Sequence, residues 1–185
     1  MKLIILDRDG VINYDSKDYI KSPDEWIPIP GSLEAIAKLK ENGWTVVVAT
    51  NQSGIGRGYY TEAILKAIHQ KMAVQLAQYN TQIDAIFYCP HTPDDHCDCR
   101  KPNIGLLQQI SRHFNCSLKN VPLVGDSLRD LQAGAGMNCQ LFLVETGNGL
   151  KSKLNLAADP RLKNTIIKAD LKSVVEYLTT PKSWQ

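Results

Sequence analysis

Asp7-Arg8-Asp9-Gly10 puts two carboxylates two residues apart, directly behind the short apolar run Leu3–Leu6. At a strand tip both acids can face one site. One can attack phosphorus as a nucleophile, and the other can protonate a leaving oxygen and later activate water. Gly10 lets the backbone turn sharply away. Taken alone, Asp-x-Asp-Gly also fits an acidic turn or the start of a calcium loop with Asn13 and Asp15 as further ligands, but no Glu follows at the spacing such a loop needs.

Three further motifs could serve the same chemistry. In Ala49-Thr50-Asn51-Gln52-Ser53-Gly54, the Thr50 hydroxyl and neighbouring backbone N–H groups can hydrogen-bond phosphoryl oxygens; an ordinary polar turn has the same composition. In Arg100-Lys101-Pro102, Lys101 can neutralise charge on a transferring phosphoryl group, and Arg100 can grip phosphate or sugar oxygens with its planar fork; the bland alternative is a solvated basic pair. In Val124-Gly125-Asp126-Ser127-Leu128-Arg129-Asp130, Asp126 would complete a magnesium site with Asp7 and the Asp9 carbonyl. Asp130, one helical turn on, could support Lys101 or a metal-bound water, or be helix-surface charge.

Cys89-Pro90-His91, five residues, then Cys97-Asp98-Cys99 brings three thiols and one imidazole together. That set suits tetrahedral zinc, and four protein ligands close the shell of a structural ion. His96 is an alternative ligand, and buried core cysteines are the competing explanation. Arg100 and Lys101 follow directly, so the ion would fix the loop that presents them. Cys116 and Cys139 read as core residues, and His69 and His113 as surface or packing residues on helices.

The elements that must position these groups alternate. Apolar runs predict strands at Lys2–Leu6, Trp44–Ala49, Ile83–Tyr88, Val121–Val124 and Gln140–Val144. Helical periods span Gly31–Asn42, a helix capped by Thr61 and running to about Gln78, Ile104–Phe114 and Leu128–Ala135. After Lys151, Leu171, Val174, Val175 and Leu178 suggest one short final helix. Strand–helix alternation implies an α/β fold, a Rossmann-like parallel sheet with helices on both faces. In such sheets ligands bind beyond the carboxyl ends of strands, which is where all four motifs and the cysteine loop fall. The 185 residues, 43% hydrophobic and 22% charged, suit one domain, with a core over about 1–150 and a tail over 151–185. A net charge of +2 with no basic block argues against nucleic acid as partner. With no apolar stretch near about 20 residues and no signal-peptide pattern, the chain reads as a cytoplasmic protein with no membrane partner.

In order and placement the four motifs resemble those of the haloacid dehalogenase superfamily. DRDGVIN, TNQSGIGRG, CPH…CDCRKP and GDSLRD are similar, over residues 3 to 149, to its heptose-bisphosphate phosphatase family in the histidinol-phosphatase-like branch. The resemblance implies a magnesium-dependent phosphatase acting on the 7-phosphate of D-glycero-D-manno-heptose 1,7-bisphosphate, in the ADP- or GDP-heptose biosynthesis that feeds lipopolysaccharide core. It implies Asp7 as nucleophile, Asp9 as proton donor, and Thr50 and Lys101 as phosphoryl stabilisers. Magnesium would sit on Asp7, Asp9 and Asp126, and zinc on Cys89, His91, Cys97 and Cys99. Substrate contacts would come from Asp15, Ser16, Lys17, Asp18, Tyr19, Thr50, Asn51, Gln52, Ser53, Arg57, Arg100 and Lys101. The spacing leaves no room for a cap domain, so the site is expected to be open and the chain a monomer. Two departures are a loop after Asn13 that is one residue longer and Ser127 where some members carry Lys. Histidinol-phosphate phosphatase is the nearest rival reading; a small sugar-phosphate phosphatase and a non-catalytic zinc-loop binding module are others. The extra positive charge of Arg57 suits a second phosphate and favours the bisphosphate.

Overall fold

The computed structural model describes residues 1–180. Leu3 to Leu6 are buried on both faces of the first strand, the signature of a central parallel strand covered on each side. The strands are β1 (Lys2–Leu6), β2 (Trp44–Asn51), β3 (Ala85–Cys89), β4 (Pro122–Gly125), β5 (Gln140–Val144) and β6 (Ile166–Lys168). All pairings are parallel, in the order β3-β2-β1-β4-β5-β6.

The helices are α1 (Ser32–Glu41), α2 (Ser53–Gly56), α3 (Glu62–Ala77), α4 (Gly105–His113), α5 (Leu128–Gly136), α6 (Gly149–Lys153) and α7 (Leu171–Thr179). Alternation along the strands separates two cores. Ile4, Leu6, Val46 and Val48 pack with Ile36 and Leu39 of α1, Ile68 and Met72 of α3, and Val174 and Val175 of α7. Leu3, Ile5, Val47 and Ala49 face the other way, against Leu107 and Ile110 of α4 and Ala133 of α5. Each fully buried aliphatic side chain contributes about 1.5–3 kcal/mol, and truncating Ile4 or Ile36 to Ala costs about 2–5 kcal/mol.

The expected strands and helices are present, with shifted ends. β3 begins at Ala85 rather than Ile83. The Asp84 carboxylate accepts the Val46 N–H at 2.7 Å and pairs with Lys40, so strand pairing starts only at Val47↔Ala85. β2 runs on to Asn51 because Thr50 and Asn51 pair with Tyr88 and Cys89. Thr61 caps α3 by accepting the Ile64 N–H. β6, α2 and α6 escape the sequence reading, being three to five residues long with no resolvable apolar period. The stretch between β1 and α1 holds only a 3₁₀ turn at Pro23–Glu25, and that between β3 and α4 another at Pro93–Asp95. Neither carries an inserted domain.

One feature of this topology locates the site. β1 neighbours β2 on one side and β4 on the other, so the chain reverses direction across the sheet at β1. A crevice opens at such a switch point, outside the carboxyl ends of the strands.

Candidate active site

Asp7 leaves β1 at this crevice, its N–H donating to Val124 O of β4 at 2.9 Å. Asp126 follows β4 and faces it. Two glycines make room for the Asp126 carboxylate: Gly10 at φ 80° and Gly147 at φ 57°, where a Cβ would collide with Asp126 Oδ2. Both need the left-handed conformation that glycine adopts freely. Asn148 donates to Asp126 Oδ2 from its backbone N–H at 2.7 Å and its side chain at 3.1 Å, and the same side chain reaches Asp15 Oδ2 at 2.9 Å. The loop after β5 thus closes one wall.

Lys101 enters from the cysteine loop. It is 3% exposed, and its ammonium contacts Asp130 Oδ1 at 2.6 Å, Ala49 O at 2.7 Å and Asp7 Oδ1 at 3.0 Å. Burial pulls its pKa down, but Asp130 and Asp7 outweigh that and hold it above the ordinary lysine value. Asn51 clamps this segment, donating to Lys101 O and accepting Lys101 N–H, both at 3.0 Å. Burial raises Asp7 to about 7, with Asp130 and Asp9 adding repulsion that Lys101 partly offsets. Burial, then Asp130 and Asp7, raise Asp126 to about 8. Asp130 also closes a capping box on α5, accepting Ser127 N–H at 3.0 Å and Ser127 Oγ–H at 2.7 Å.

Oxygens of Asp7, Asp126 and Asp130 lie within 4.8 Å of one another. Crowded, buried carboxylates that repel one another suit a divalent cation, whose charge removes the repulsion. The Asp9 side chain is not in this group. It turns to Arg8, which is fully buried and donates from Nη2 at 2.7 and 3.0 Å and from Nε at 3.0 Å. Asn13 donates to Asp9 Oδ1 and Gln52 to Asp9 Oδ2, each at 2.9 Å. Burial pushes the Asp9 pKa up, but Arg8, Asn13 and Gln52 more than reverse this and hold it below the usual carboxylate value. The Asp9 side chain therefore faces Arg8, Asn13 and Gln52 rather than the Asp7, Asp126 and Asp130 group. His69, expected at the surface or in packing, has Nε2 3.3 Å from Arg8 Nη1. Burial, then the Arg8 charge, lowers its pKa to about 4, so it is neutral and accepts from Arg8.

These groups line a cavity of about 430 Å³. Asp7, Asp9, Asp126, Thr50 and Lys101 meet there with most of the expected substrate contacts: Asp15, Ser16, Lys17, Tyr19, Asn51, Gln52, Ser53, Arg57 and Arg100. Asp18 does not line it. Ile20, Tyr60, Pro93, Ser127, Arg129, Asp130 and Asn148 line it as well. The acids at the floor and the cations around the wall can together hold a phosphate ester and place a carboxylate against its phosphorus.

Cys89, His91, Cys97 and Cys99 form the second cluster. Cys89 Sγ lies 3.6 Å from His91 Nδ1 and from Cys97 Sγ, and Cys99 Sγ lies 3.0 to 3.5 Å from the other three donors. No disulfide links them. Four soft donors around one centre fit tetrahedral zinc. His96, the alternative ligand, is outside the cluster.

Residues 2–137 match the protein family described as Polynucleotide kinase 3 phosphatase. A curated D-glycero-beta-D-manno-heptose-1,7-bisphosphate 7-phosphatase from Bordetella bronchiseptica is 56% identical over 178 residues, 96% of this chain and 98% of that one. Its counterpart from Pseudomonas aeruginosa is 52% identical, over 95% and 97% of the two chains. This chain belongs to the D-glycero-beta-D-manno-heptose-1,7-bisphosphate 7-phosphatase family. A solved family structure, the D,D-heptose 1.7-bisphosphate phosphatase from B. bronchiseptica complexed with magnesium and phosphate, superposes with a TM-score of 0.92 at 56% identity, covering 96% of this chain and 98% of that one. Within the family fold, Gly147 and Asn148 are the main site residues that sequence reasoning missed. Thr146-Gly147-Asn148-Gly149 follows β5 after the single residue Glu145. The rule that ligands gather beyond strand ends marks that loop as it marked the other four.

Proposed function

We propose that this chain is a magnesium-dependent phosphomonoesterase that removes the 7-phosphate of D-glycero-D-manno-heptose 1,7-bisphosphate through an aspartyl-phosphate on Asp7. The observation that carries the mechanism is the buried contact of Lys101 with both Asp7 and Asp130 at the switch point of the sheet, with Asp126 beside them. The substrate rests on relatives of that name at 52–56% identity. The cations Lys17, Arg57, Arg100 and Arg129 around the cavity suit a substrate with two phosphates.

Asp7 attacks phosphorus, and the bond from phosphorus to the sugar oxygen breaks as Asp9 gives that oxygen a proton. Water then attacks the aspartyl-phosphate, gives its proton to Asp9, and releases phosphate and free Asp7. Lys101 and the Thr50 hydroxyl stabilise the phosphoryl oxygens throughout. Asp7, Asp126 and the Asp9 carbonyl would hold magnesium, which neutralises phosphoryl charge when bound. Asp130 fixes Lys101. Asp15, Ser16, Lys17, Tyr19, Ser53, Arg57 and Arg100 contact the sugar bisphosphate. Zinc on Cys89, His91, Cys97 and Cys99 is structural and holds the loop that carries Arg100 and Lys101. The chain acts as one domain, since α7 of the tail buries Val174 and Val175 in the core of β1. It is a cytoplasmic monomer in nucleotide-heptose synthesis. Among the described residues no helix is long and apolar enough to cross a membrane.

The test compares kcat/KM on heptose 1,7-bisphosphate and histidinol phosphate. Preference for the bisphosphate by at least about 10² is expected, because histidinol phosphate would leave cations placed for a second phosphate unpaired; preference for histidinol phosphate would sink the substrate reading.

A further inference from the structure

Gln52 lines the cavity, yet its side chain has no capacity left for a substrate. Nε2 donates to Asp9 Oδ2 and to Thr50 Oγ1, both at 2.9 Å. Oε1 accepts from Tyr60 Oη–H at 2.6 Å and from Arg8 Nη2 at 3.3 Å. Two amide protons and two lone pairs are the whole inventory of this group, and all four are used within the protein. Gln52 and Tyr60 are 3% and 4% exposed, so water does not compete for these bonds. The amide orientation is fixed from outside: the Tyr60 hydroxyl must donate, because Arg8 can only donate to the same oxygen, and this leaves Nε2 pointing at Asp9. Tyr60 is itself seated against Gly54, where a Cβ would collide with its ring. Gly54 in α2 therefore belongs to the same device.

We propose that Gln52 is a positioning residue for Asp9, oriented by Tyr60, and makes no contact with substrate. This rests on the reading of Asp9 as the group that protonates the departing oxygen. Asp9 Oδ1 is held by Arg8 and Asn13, and Oδ2 by Gln52 with a further bond from Arg8 Nη2. Gln52 is the donor that comes from the segment after β2, the strand beside β1, and it sets the rotation of the carboxylate toward the ester oxygen. Loss of that bond leaves Asp9 held by Arg8 and Asn13, with Oδ2 fixed by the 3.0 Å Arg8 contact alone. A misplacement of about 1 Å in a reacting group can cost about 10²-fold in rate.

The experiment measures kcat/KM, which reports on steps through formation of the aspartyl-phosphate, for two esters. A sugar phosphate has a strongly basic leaving oxygen that needs a proton as it departs. 4-Nitrophenyl phosphate has a weakly basic one that does not. Gln52→Met keeps the volume without either polar function, and Tyr60→Phe removes only the hydroxyl that orients the amide. For Gln52→Met the expected result is a loss of about 30- to 100-fold on the sugar bisphosphate and a loss at least about tenfold smaller on 4-nitrophenyl phosphate, where only the bond to Thr50 counts. Tyr60→Phe is expected to show the same pattern at about a tenth of the size, and Gln52→Glu, which lacks the donor toward Asp9, to resemble Gln52→Met. A rise in KM for the sugar bisphosphate at unchanged kcat would make Gln52 a substrate contact and overturn the proposal. Equal losses on both esters would reduce Gln52 to a structural residue, also overturning it. If Gln52→Met lowers the melting temperature sharply, Tyr60→Phe decides by the same ratio. Wild-type activity on 4-nitrophenyl phosphate without turnover of heptose bisphosphate would sink the substrate reading instead, and the variants could then be compared on any alkyl phosphate that the wild type accepts.

Discussion

Lys101 Nζ lies nearer to Asp130, at 2.6 Å, than to Asp7, at 3.0 Å. The lysine is thus anchored by a carboxylate that also caps α5 through Ser127. Removing Asp130 leaves a buried ammonium with one partner fewer and opens the helix start. Asp130→Ala should cost about 3–5 kcal/mol, the range for breaking one side of a buried pair. Asp130→Asn retains an acceptor for Ser127 and should cost less. Urea unfolding of both variants checks this; two equal and small losses would mean that Asp130 supports neither Lys101 nor the helix.

Asp7→Asn should abolish turnover and leave the fold intact, because Lys101 keeps Asp130 and Ala49 O as partners. Burial and the neighbouring Asp130 and Asp9 raise the pKa of Asp7, so its ionised form is a cost to the metal-free fold. Removing that charge should therefore not lower the melting temperature at pH 8 in chelator. Steady hydrolysis by the variant, measured as released phosphate, would take the nucleophile role from Asp7.

Asp7 and Asp126 also set a pH dependence. Both folded pKa values, about 7 and about 8, lie above the 3.8 of the free side chain. A raised acid pKa means that the folded state binds more protons than the unfolded one between these limits, so the contribution is full below about pH 4 and lost as pH rises through 7 to 8. Metal-free protein should melt lower at pH 8.5 than at pH 5.5. Magnesium needs the ionised carboxylates, so its stabilising effect and its affinity should grow over the same interval. Thermal melts with chelator and with excess magnesium at both pH values would show the two trends diverging. Parallel trends would mean that neither acid meets the ion.

The sheet was legible because each strand is an apolar run bounded by turn residues, and the meeting of the four motifs at one cavity because each follows such a run. The Asp9 environment was not legible. Arg8 and Asp9 are adjacent in sequence, where side chains on a strand normally diverge, and only the turn at Gly10 folds the guanidinium back onto its neighbour. Tyr60 and His69 reach Arg8 and Gln52 from α3 and the segment before it, contacts that no local pattern announces. β6 was hidden because Ile166-Ile167-Lys168 pairs with β5 alone at the sheet edge and needs no long apolar run.

The cysteine cluster lies directly before Arg100 and Lys101. Its loop is tied to the active site by Gln52 N–H to Cys89 O at 2.7 Å and Arg100 Nη1 to His91 O at 3.2 Å, and is closed on itself by Asn103 Nδ2 to Cys97 O at 2.8 Å. Loss of a central ion would release the thiols to repel or oxidise, and the register of Arg100 and Lys101 would go with them. A zinc chelator should lower the melting temperature by about 5–10 °C, the shift for a loss of roughly 2–3 kcal/mol in a chain of this size. It should also lower kcat/KM on the sugar bisphosphate. Added zinc, but not magnesium, should restore both, and Cys89→Ser should mimic chelation without responding to zinc. Metal analysis of protein purified without added zinc gives the direct count, and a chain that holds no zinc, melts unchanged in chelator and keeps its rate would reduce the cluster to four free side chains.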